Sequence, residues 1–313
     1  MSQPTRRTFL KTAAAGAALA ALGPAGKASA ARDYKISLAG WSLHRTIGEG
    51  DDKIPMLEMP RLSREEFDIE AIELVNRMLP PHAESFDDMK PYLDQLQANA
   101  NDHDVKIILI MVDGEGAIGG RTEAQRERAI EGHKKWIDIA NYLGCHSIRM
   151  NWAGAPGDIM DQGYDAMEDF IDRSVPGFQT LCDYGDTKDV NVIIENHGGP
   201  SSFIVPMVQL MESVDHPRFG TLPDFGNFYG EDPYEAVDVL MNWAKALSAK
   251  CYDFDDETGE ETKLDFERFM KICVDKHDYN GYIGIEYEGR RLSEIEGIKA
   301  AKKLLDRLRE EAV

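Results

Sequence analysis

Three carboxylates stand out in this sequence because each lies at the end of an apolar run. Glu195 closes NVIIE, Asp224 follows FGTLP, and Glu286 sits in YIGIEYEG. A carboxylate among apolar residues is costly unless it is paired, hydrogen-bonded or bound to a cation. Three converging oxygen donors with open positions suit a divalent cation such as Mg or Mn. Glu195 and Glu286 could also flank a carbon centre as an acid and base pair, taking a proton next to a carbonyl and returning it. Comparable places hold Trp41, His44, Glu73, Arg149, Asn151, His197, Asn227, Ser248, Lys250, Asp253 and Glu288. In extended chain, alternate side chains share a face, which pairs Glu195 with His197, Glu286 with Glu288, Arg149 with Asn151 and Ser248 with Lys250. Lys250 is expected to contact substrate or serve as a base, and His197 to be a ligand or a proton-transfer group. Glu73 and Arg149 either touch substrate or neutralise each other. Trp41, with Trp152, is expected to form a stacking wall for a sugar ring, and His44, Asn151 and Asn227 complete the substrate-binding set. His133 and His277 fall in helical segments and carry no chemistry in this reading.

Such groups need a scaffold that brings many strand ends to one place. From residue 33 onward, short β-rich runs alternate with amphipathic segments. The runs are KISLAGW (35–41), AIELVN (71–76), KIILIMV (106–112), SIRMNW (147–152), NVIIENH (191–197), FGTLPDF (219–225), ALSAKCYDF (246–254) and YIGIEYEG (282–289). Most are continuously apolar, as parallel strands covered on both faces must be. Helices are expected after the second, third, fourth, sixth, seventh and eighth runs, with Thr122 and Ser293 as N-caps and Gly144 ending the helix after the third. The first crossover, residues 42–70, shows little regular helix before Arg61. Eight β-α alternations over about 280 residues predict a single-domain α/β protein, a (β/α)8 TIM barrel with its reactive groups at the C-terminal strand ends. An open doubly wound sheet would carry a Gly-rich turn after its first strand, and LAGWSLHR is not one.

The 313 residues contain 35 Lys and Arg against 56 Asp and Glu, a formal charge of −21. That balance argues against nucleic-acid and anionic-membrane partners, which require clustered basic residues. The first thirty residues read as an address: Arg6 and Arg7 precede Phe9, Leu10 and Lys11, then a short Ala-rich run ends at Ala28-Ser29-Ala30. This is the pattern of a twin-arginine signal peptide over residues 1–30, leaving 31–313 as the barrel. The run is too short for a comfortable membrane span, and no Cys near the cut offers a lipid anchor. Cleavage after Ala30 would remove four basic residues and no acid, taking the formal charge to −25. The expected destination is the periplasm or the exterior. Cys145, Cys182, Cys251 and Cys273 are scattered without CxxC spacing, so no disulfide framework is expected.

The strings IIENHGG, LPDFGN, SAKCYDFD and GYIGIEYEG, with WSLHR near the start, resemble the xylose-isomerase-like barrels, also called sugar phosphate isomerases/epimerases, in a twin-arginine-exported branch. The resemblance covers about residues 33–309. It implies one divalent metal at the barrel mouth. In ketose 3-epimerases of this family a strand-five Glu, a strand-six Asp, a strand-seven His and a strand-eight Glu hold the metal, and the two Glu residues exchange the proton. Carried over, Glu195, Asp224 and Glu286 match three ligands, while Ser248 stands where the His is expected and Asn227 where a second His is frequent. Either the metal is held by the three carboxylates, with His197 or water completing the shell, or the site is metal-free with Lys250 in the cationic position.

The leading functional expectation is an exported sugar isomerase or epimerase working by proton abstraction next to a carbonyl. The same enolate could expel a β-substituent, which defines a lyase acting on keto-sugars or keto-glycosides. A non-catalytic sugar-binding barrel is the third possibility, given the two altered metal-site positions. Apurinic endonucleases share this barrel but need His-rich metal clusters and basic loops, which this chain lacks. The expected partner is a small sugar or sugar derivative, and a homodimer is consistent with related barrels.

Overall fold

All eight apolar runs form strands in the computed structural model of the protein, which describes residues 31–48, 52–80, 85–155, 157 and 159–311. The signal segment expected over residues 1–30 lies outside the described residues. The strands are β1 (Lys35–Ala39), β2 (Ala71–Val75), β3 (Lys106–Val112), β4 (Ser147–Met150), β5 (Asn191–Glu195), β6 (Phe219–Leu222), β7 (Leu247–Cys251) and β8 (Tyr282–Tyr287). They are parallel and run β6-β5-β4-β3-β2-β1-β8-β7 around the sheet. Backbone hydrogen bonds close the ring between β6 and β7: Lys245 N to Thr221 O at 3.0 Å, Ser248 N to Pro223 O at 3.0 Å and Phe225 N to Ser248 O at 3.1 Å. A register shift between Ile72 and Glu73 leaves one extra β3 residue opposite β2, a local irregularity of the kind that re-aims side chains beside a site.

Residue parity along the strands sorts the side chains. Leu38, Ile72, Leu74, Ile110, Ile148, Ile194, Leu247, Ala249, Ile283 and Ile285 point outward into the large core shared with the helices. Ala39, Ala71, Val75, Leu109, Met111, Ile193 and Leu222 form a second, smaller core that plugs the barrel. Ser37, Glu73, Arg149, Glu195, Ser248, Lys250, Gly284 and Glu286 share the inward parity, because successive strand residues face opposite sides. The polar set therefore sits above and beside this apolar plug.

The helices are α1 (Met59–Phe67), α2 (Phe86–Asp102), α3 (Glu123–Leu143), α4 (Tyr164–Asp186), α5 (Ile204–Val214), α6 (Pro233–Leu240), α7 (Phe266–Met270) and α8 (Glu294–Glu310), with a π-helical stretch at Lys271–Lys276. Thr122 and Ser293 cap α3 and α8 with reciprocal capping boxes, and Gly144 ends α3 at φ 78°. The sequence pattern predicts no helix after β5, yet α5 is there. Its N-cap residue, Phe203, makes no side-chain cap bond. Pro206 sits in its first turn, where a missing N–H costs nothing. Without those cap signals, its apolar sequence offers no start mark. All four cysteines are free and buried. Among the described residues no helix is long and apolar enough to cross a membrane.

Candidate active site

The C-terminal mouth of the barrel gathers Glu195 from β5, Asp224 just past β6, Glu286 from β8 and Lys250 from β7. One oxygen from each of the three carboxylates lies within 4.8 Å of the other two, and all three residues are buried. Ser248 Oγ is 2.7 Å from Asp224 Oδ2 and 2.8 Å from Glu286 Oε2. A hydroxyl has one proton and cannot donate to both at once, so one contact calls for a proton on a carboxylate. Burial, with Glu286 and Glu195 nearby, pushes Asp224 well above the usual carboxylate range despite the Lys250 charge. Gly226 N donates to Asp224 Oδ1 at 2.8 Å.

Burial also raises Glu195, against the opposing pull of Arg149. Glu286 goes the other way: burial pushes it up, but Lys250 and the Ser248 hydroxyl more than offset this and hold it below the usual range. Two carboxylates facing one space are thus pushed apart in proton affinity, the arrangement expected of an acid and base couple.

Lys250 is 2 % exposed. Its Nζ lies 3.3 Å from Glu286 Oε1, 3.6 Å from Glu288 Oε1 and 3.9 Å from Asp224 Oδ2, and it donates to Asn227 Oδ1 at 3.2 Å. Burial alone would favour the neutral amine, but the surrounding carboxylates outweigh it and raise the group. Those contacts favour the ammonium form, in which Lys250 supplies positive charge to the cluster.

Arg149 is the second buried cation. Its Nη1 bonds Asp113 Oδ1 at 2.8 Å. Its Nε stands 2.8 Å from Glu195 Oε2 in a charge contact without hydrogen-bond alignment, so both atoms lack a hydrogen-bond partner. Asn151 Nδ2 also donates to Asp113 Oδ1, at 2.7 Å. Sequence reasoning misses Asp113, although a charge directly after the apolar run KIILIMV is a readable signal. Burial would raise Asp113, but the Arg149 charge and its hydrogen bond outweigh it and lower the group.

Glu73 and Arg149 do not neutralise each other, the alternative that the sequence allows. Glu73 is 1 % exposed and accepts from Ser37 Oγ at 2.6 Å, while its Oε2 has no partner. A Cβ on Gly284 would come within 2.5 Å of Glu73 Oε1. Glu73 therefore sits against β8 one layer below Glu286, in the space that Gly284 leaves open. Its carboxyl is pushed up to about 7 by burial, with Glu286 and Glu195 adding to the effect.

The remaining expected residues divide. Asn227 Nδ2 donates to Glu195 Oε1 at 3.0 Å, which ties Glu195 to Lys250 through one amide. His197 lies outside the three-carboxylate cluster, because β5 ends at Glu195, and is exposed, yet its charge acts on Glu195 and Asp113. Trp41 and His44 stand together at the rim, stacked at 4.6 Å. Trp152 is buried on Phe170 and donates to Ser174 Oγ at 2.8 Å, so it is packing and not a wall of the site.

Six carboxylates (Glu73, Asp113, Glu195, Asp224, Glu286, Glu288) meet two permanent cations here. Either protons or a bound cation must relieve that excess. The donor set, three buried carboxylates with an oxygen of each within 4.8 Å of the other two, fits a hard divalent ion. Glu195, Asp224 and Glu286 could hold such an ion, with Ser248 in the place of a fourth protein donor.

A closed parallel barrel with a carboxylate cluster at its C-terminal mouth is the architecture of a TIM-barrel enzyme family. The chain belongs to the xylose isomerase-like TIM barrel family, whose model matches residues 65–311. Residues 3–23 match the twin-arginine translocation pathway signal sequence. A search of curated proteins found no match. Among solved structures, an L-ribulose 3-epimerase superposes with TM-score 0.69 at 13% identity, covering 89% of this chain and 95% of that one. A 3-keto-D-glucoside 4-epimerase from E. coli gives 0.64 at 15%, covering 88% and 99%. A xylose isomerase-like TIM barrel protein from Mycobacterium smegmatis, in complex with magnesium, gives 0.65 at 16%, covering 89% and 97%. At these identities the likeness establishes the fold.

Proposed function

We propose that the barrel is an exported sugar isomerase or epimerase that moves a proton next to a carbonyl. The observation that carries this is the buried Glu195–Asp224–Glu286 cluster, in which burial raises Glu195 while Lys250 and the Ser248 hydroxyl hold Glu286 low against burial. Glu286, ionised, takes the proton from the carbon beside the carbonyl. Glu195, favoured in its protonated form by burial and held by Asn227, gives its proton to the other face or the adjacent carbon and is left ionised beside Arg149. Lys250, as the ammonium, balances Glu286 and Glu288. Glu195, Asp224 and Glu286 would hold a divalent ion, which when bound would supply Lewis-acid chemistry at the carbonyl. The similarity to sugar epimerases, one of them acting on a 3-keto-glucoside, supports a sugar or keto-sugar substrate.

The test is solvent deuterium incorporation into candidate keto-sugars by purified protein, run with metal analysis. Deuterium at the carbon beside the carbonyl, lost on chelation, is the expected result. Turnover without incorporation, where incorporation would be detectable, sinks the mechanism. Loss of a substituent together with incorporation would assign the lyase form of the same chemistry, and metal bound without turnover of any sugar would assign the binding barrel.

Export and processing belong to the same reading. Arg32 is clamped by Asp275 at 2.8 and 2.6 Å and by Leu308 O at 2.7 Å, and its backbone N bonds Arg309 O at 3.0 Å. Cleavage after Ala30 leaves that clamp whole, so the exported chain is expected to begin at Ala31, which N-terminal sequencing checks.

A further inference from the structure

β1 and β8 are neighbours, so the residues that follow them meet at the rim. Trp41, in the 3-10 turn after β1, donates its indole N–H to Glu288 Oε1 at 2.7 Å. Glu288 is the first residue after β8. The same oxygen faces Lys250 Nζ at 3.6 Å. His44 covers one face of the indole, with rings 4.6 Å apart and 15° from parallel. That ring is itself held: His44 Nδ1 is 2.6 Å from Trp41 O and 3.5 Å from Glu294 Oε1. Glu294 is buried at the start of α8, where it accepts from Arg45 N at 2.8 Å and pairs with Arg45 Nε at 3.2 Å. The indole is thus fixed along one edge and against one face, and Trp41 stays partly exposed. Glu288 Oε2 makes no protein hydrogen bond among the described residues, and the side chain is 30% exposed.

We infer that Trp41, His44 and Glu288 form a sugar-binding subsite beside the carboxylate cluster, in which Glu288 fixes the indole plane and offers its second oxygen to a substrate hydroxyl. The inference rests on the proposed sugar substrate. A sugar ring presents C–H faces and hydroxyl edges. An indole held flat by a stacked neighbour suits the first, and a hydroxyl donating to a carboxylate suits the second. An anchored plate loses little entropy on binding, so its contacts translate into affinity. Because Glu288 also faces Lys250, occupancy of the subsite sets the distance between the sugar and the reactive cluster. Glu288 acts here as a positioning and specificity-determining residue.

The experiment is calorimetric and fluorescence titration of the exported, metal-loaded protein with D-fructose and with methyl β-D-glucoside. Wild type, Trp41→Phe, Glu288→Gln and Glu288→Ala are compared. Glu288→Ala is expected to weaken binding about tenfold or more and Glu288→Gln by about threefold. Trp41→Phe keeps a ring but loses the tether, and an intermediate loss is expected. Metal content and thermal midpoint should stay at wild-type values. If Glu288→Ala does not fold, Trp41→Phe and Glu288→Gln carry the test. Unchanged affinity in the folded variants overturns the subsite, as does a lowered midpoint with unchanged affinity. Absence of saturable binding of both sugars up to roughly 0.1 M overturns it too. Deuterium incorporation is read at other atoms, so it can persist when the subsite fails, which separates the two proposals.

Discussion

The two ends of the barrel use the same side chains to different effect. At the N-terminal end, Lys35, Asp68, Glu70, Lys302, Asp306 and Arg309 line a cavity of about 280 Å³. Asp306 pairs with Lys302 and with Arg309, each at 2.6 Å, and these side chains are 22% to 39% exposed. At the mouth, Lys250, Asp224, Arg149 and Glu195 are between 0% and 6% exposed, at contacts of 2.8 to 3.9 Å. Water screens the first set, so each charge is nearly indifferent to its partner. Burial removes that screening at the mouth, and each group's protonation then depends on its neighbours. The two ends differ in balance as well as burial: acids and bases match in number around the N-terminal cavity, while carboxylates outnumber cations at the desolvated mouth.

The contrast can be broken at several points. The largest effect is expected at Glu286→Gln and Glu195→Gln, each lowering deuterium incorporation by on the order of a thousandfold. If neither does so in the folded variants, the catalytic assignment is wrong. Next comes Arg149→Met, which strands Glu195 and Asp113 without their cation. A loss of about 3 to 5 kcal/mol in chemical denaturation is expected.

Glu73 gives a pH-dependent effect of similar size. Its folded affinity for protons is raised from 4.5 to about 7. Its contribution to stability is therefore fully present below about pH 4.5 and is lost as the pH rises through about 7. Glu73→Gln should abolish that dependence in metal-free protein. Relative to wild type it should gain up to about 3 kcal/mol above pH 7, and nothing in acid. A flat difference between the two proteins from pH 4 to pH 8 would contradict this. The smallest effect belongs to the other end: Asp306→Asn should cost less than about 1 kcal/mol and shrink further in salt. A loss there as large as that of Arg149→Met would erase the distinction between the ends.

Much of this site is legible in the sequence. Glu195, Asp224 and Glu286 announce themselves as charges ending apolar runs, and the strand count follows from runs too apolar for one-sided burial. Helix α5 is not legible, because its first turn carries neither a capping side chain nor polar periodicity. Asp113 is easily overlooked beside its own apolar run. Where His197 points is not legible, because β5 stops at Glu195 and the period-two rule has no strand to act on beyond it. Lys250 looks like a possible base because its sequence neighbours in SAKCYDFD do not reveal the carboxylates of β6 and β8 packed around it.

The sequence by itself determined the eight-fold alternation, the export address and the identity of the three central carboxylates. These are local properties: periodicity, composition, and a charge at the end of an apolar run. Tertiary structure alone decided which charges face each other, and hence which stay protonated. Arg149 took Asp113 and Glu195 instead of Glu73, Lys250 came to lie among Asp224, Glu286 and Glu288, and Glu288 came to hold Trp41. The reason is physical: proton affinities in a buried site depend on distances between residues far apart in the chain, and only closure of the barrel sets those distances.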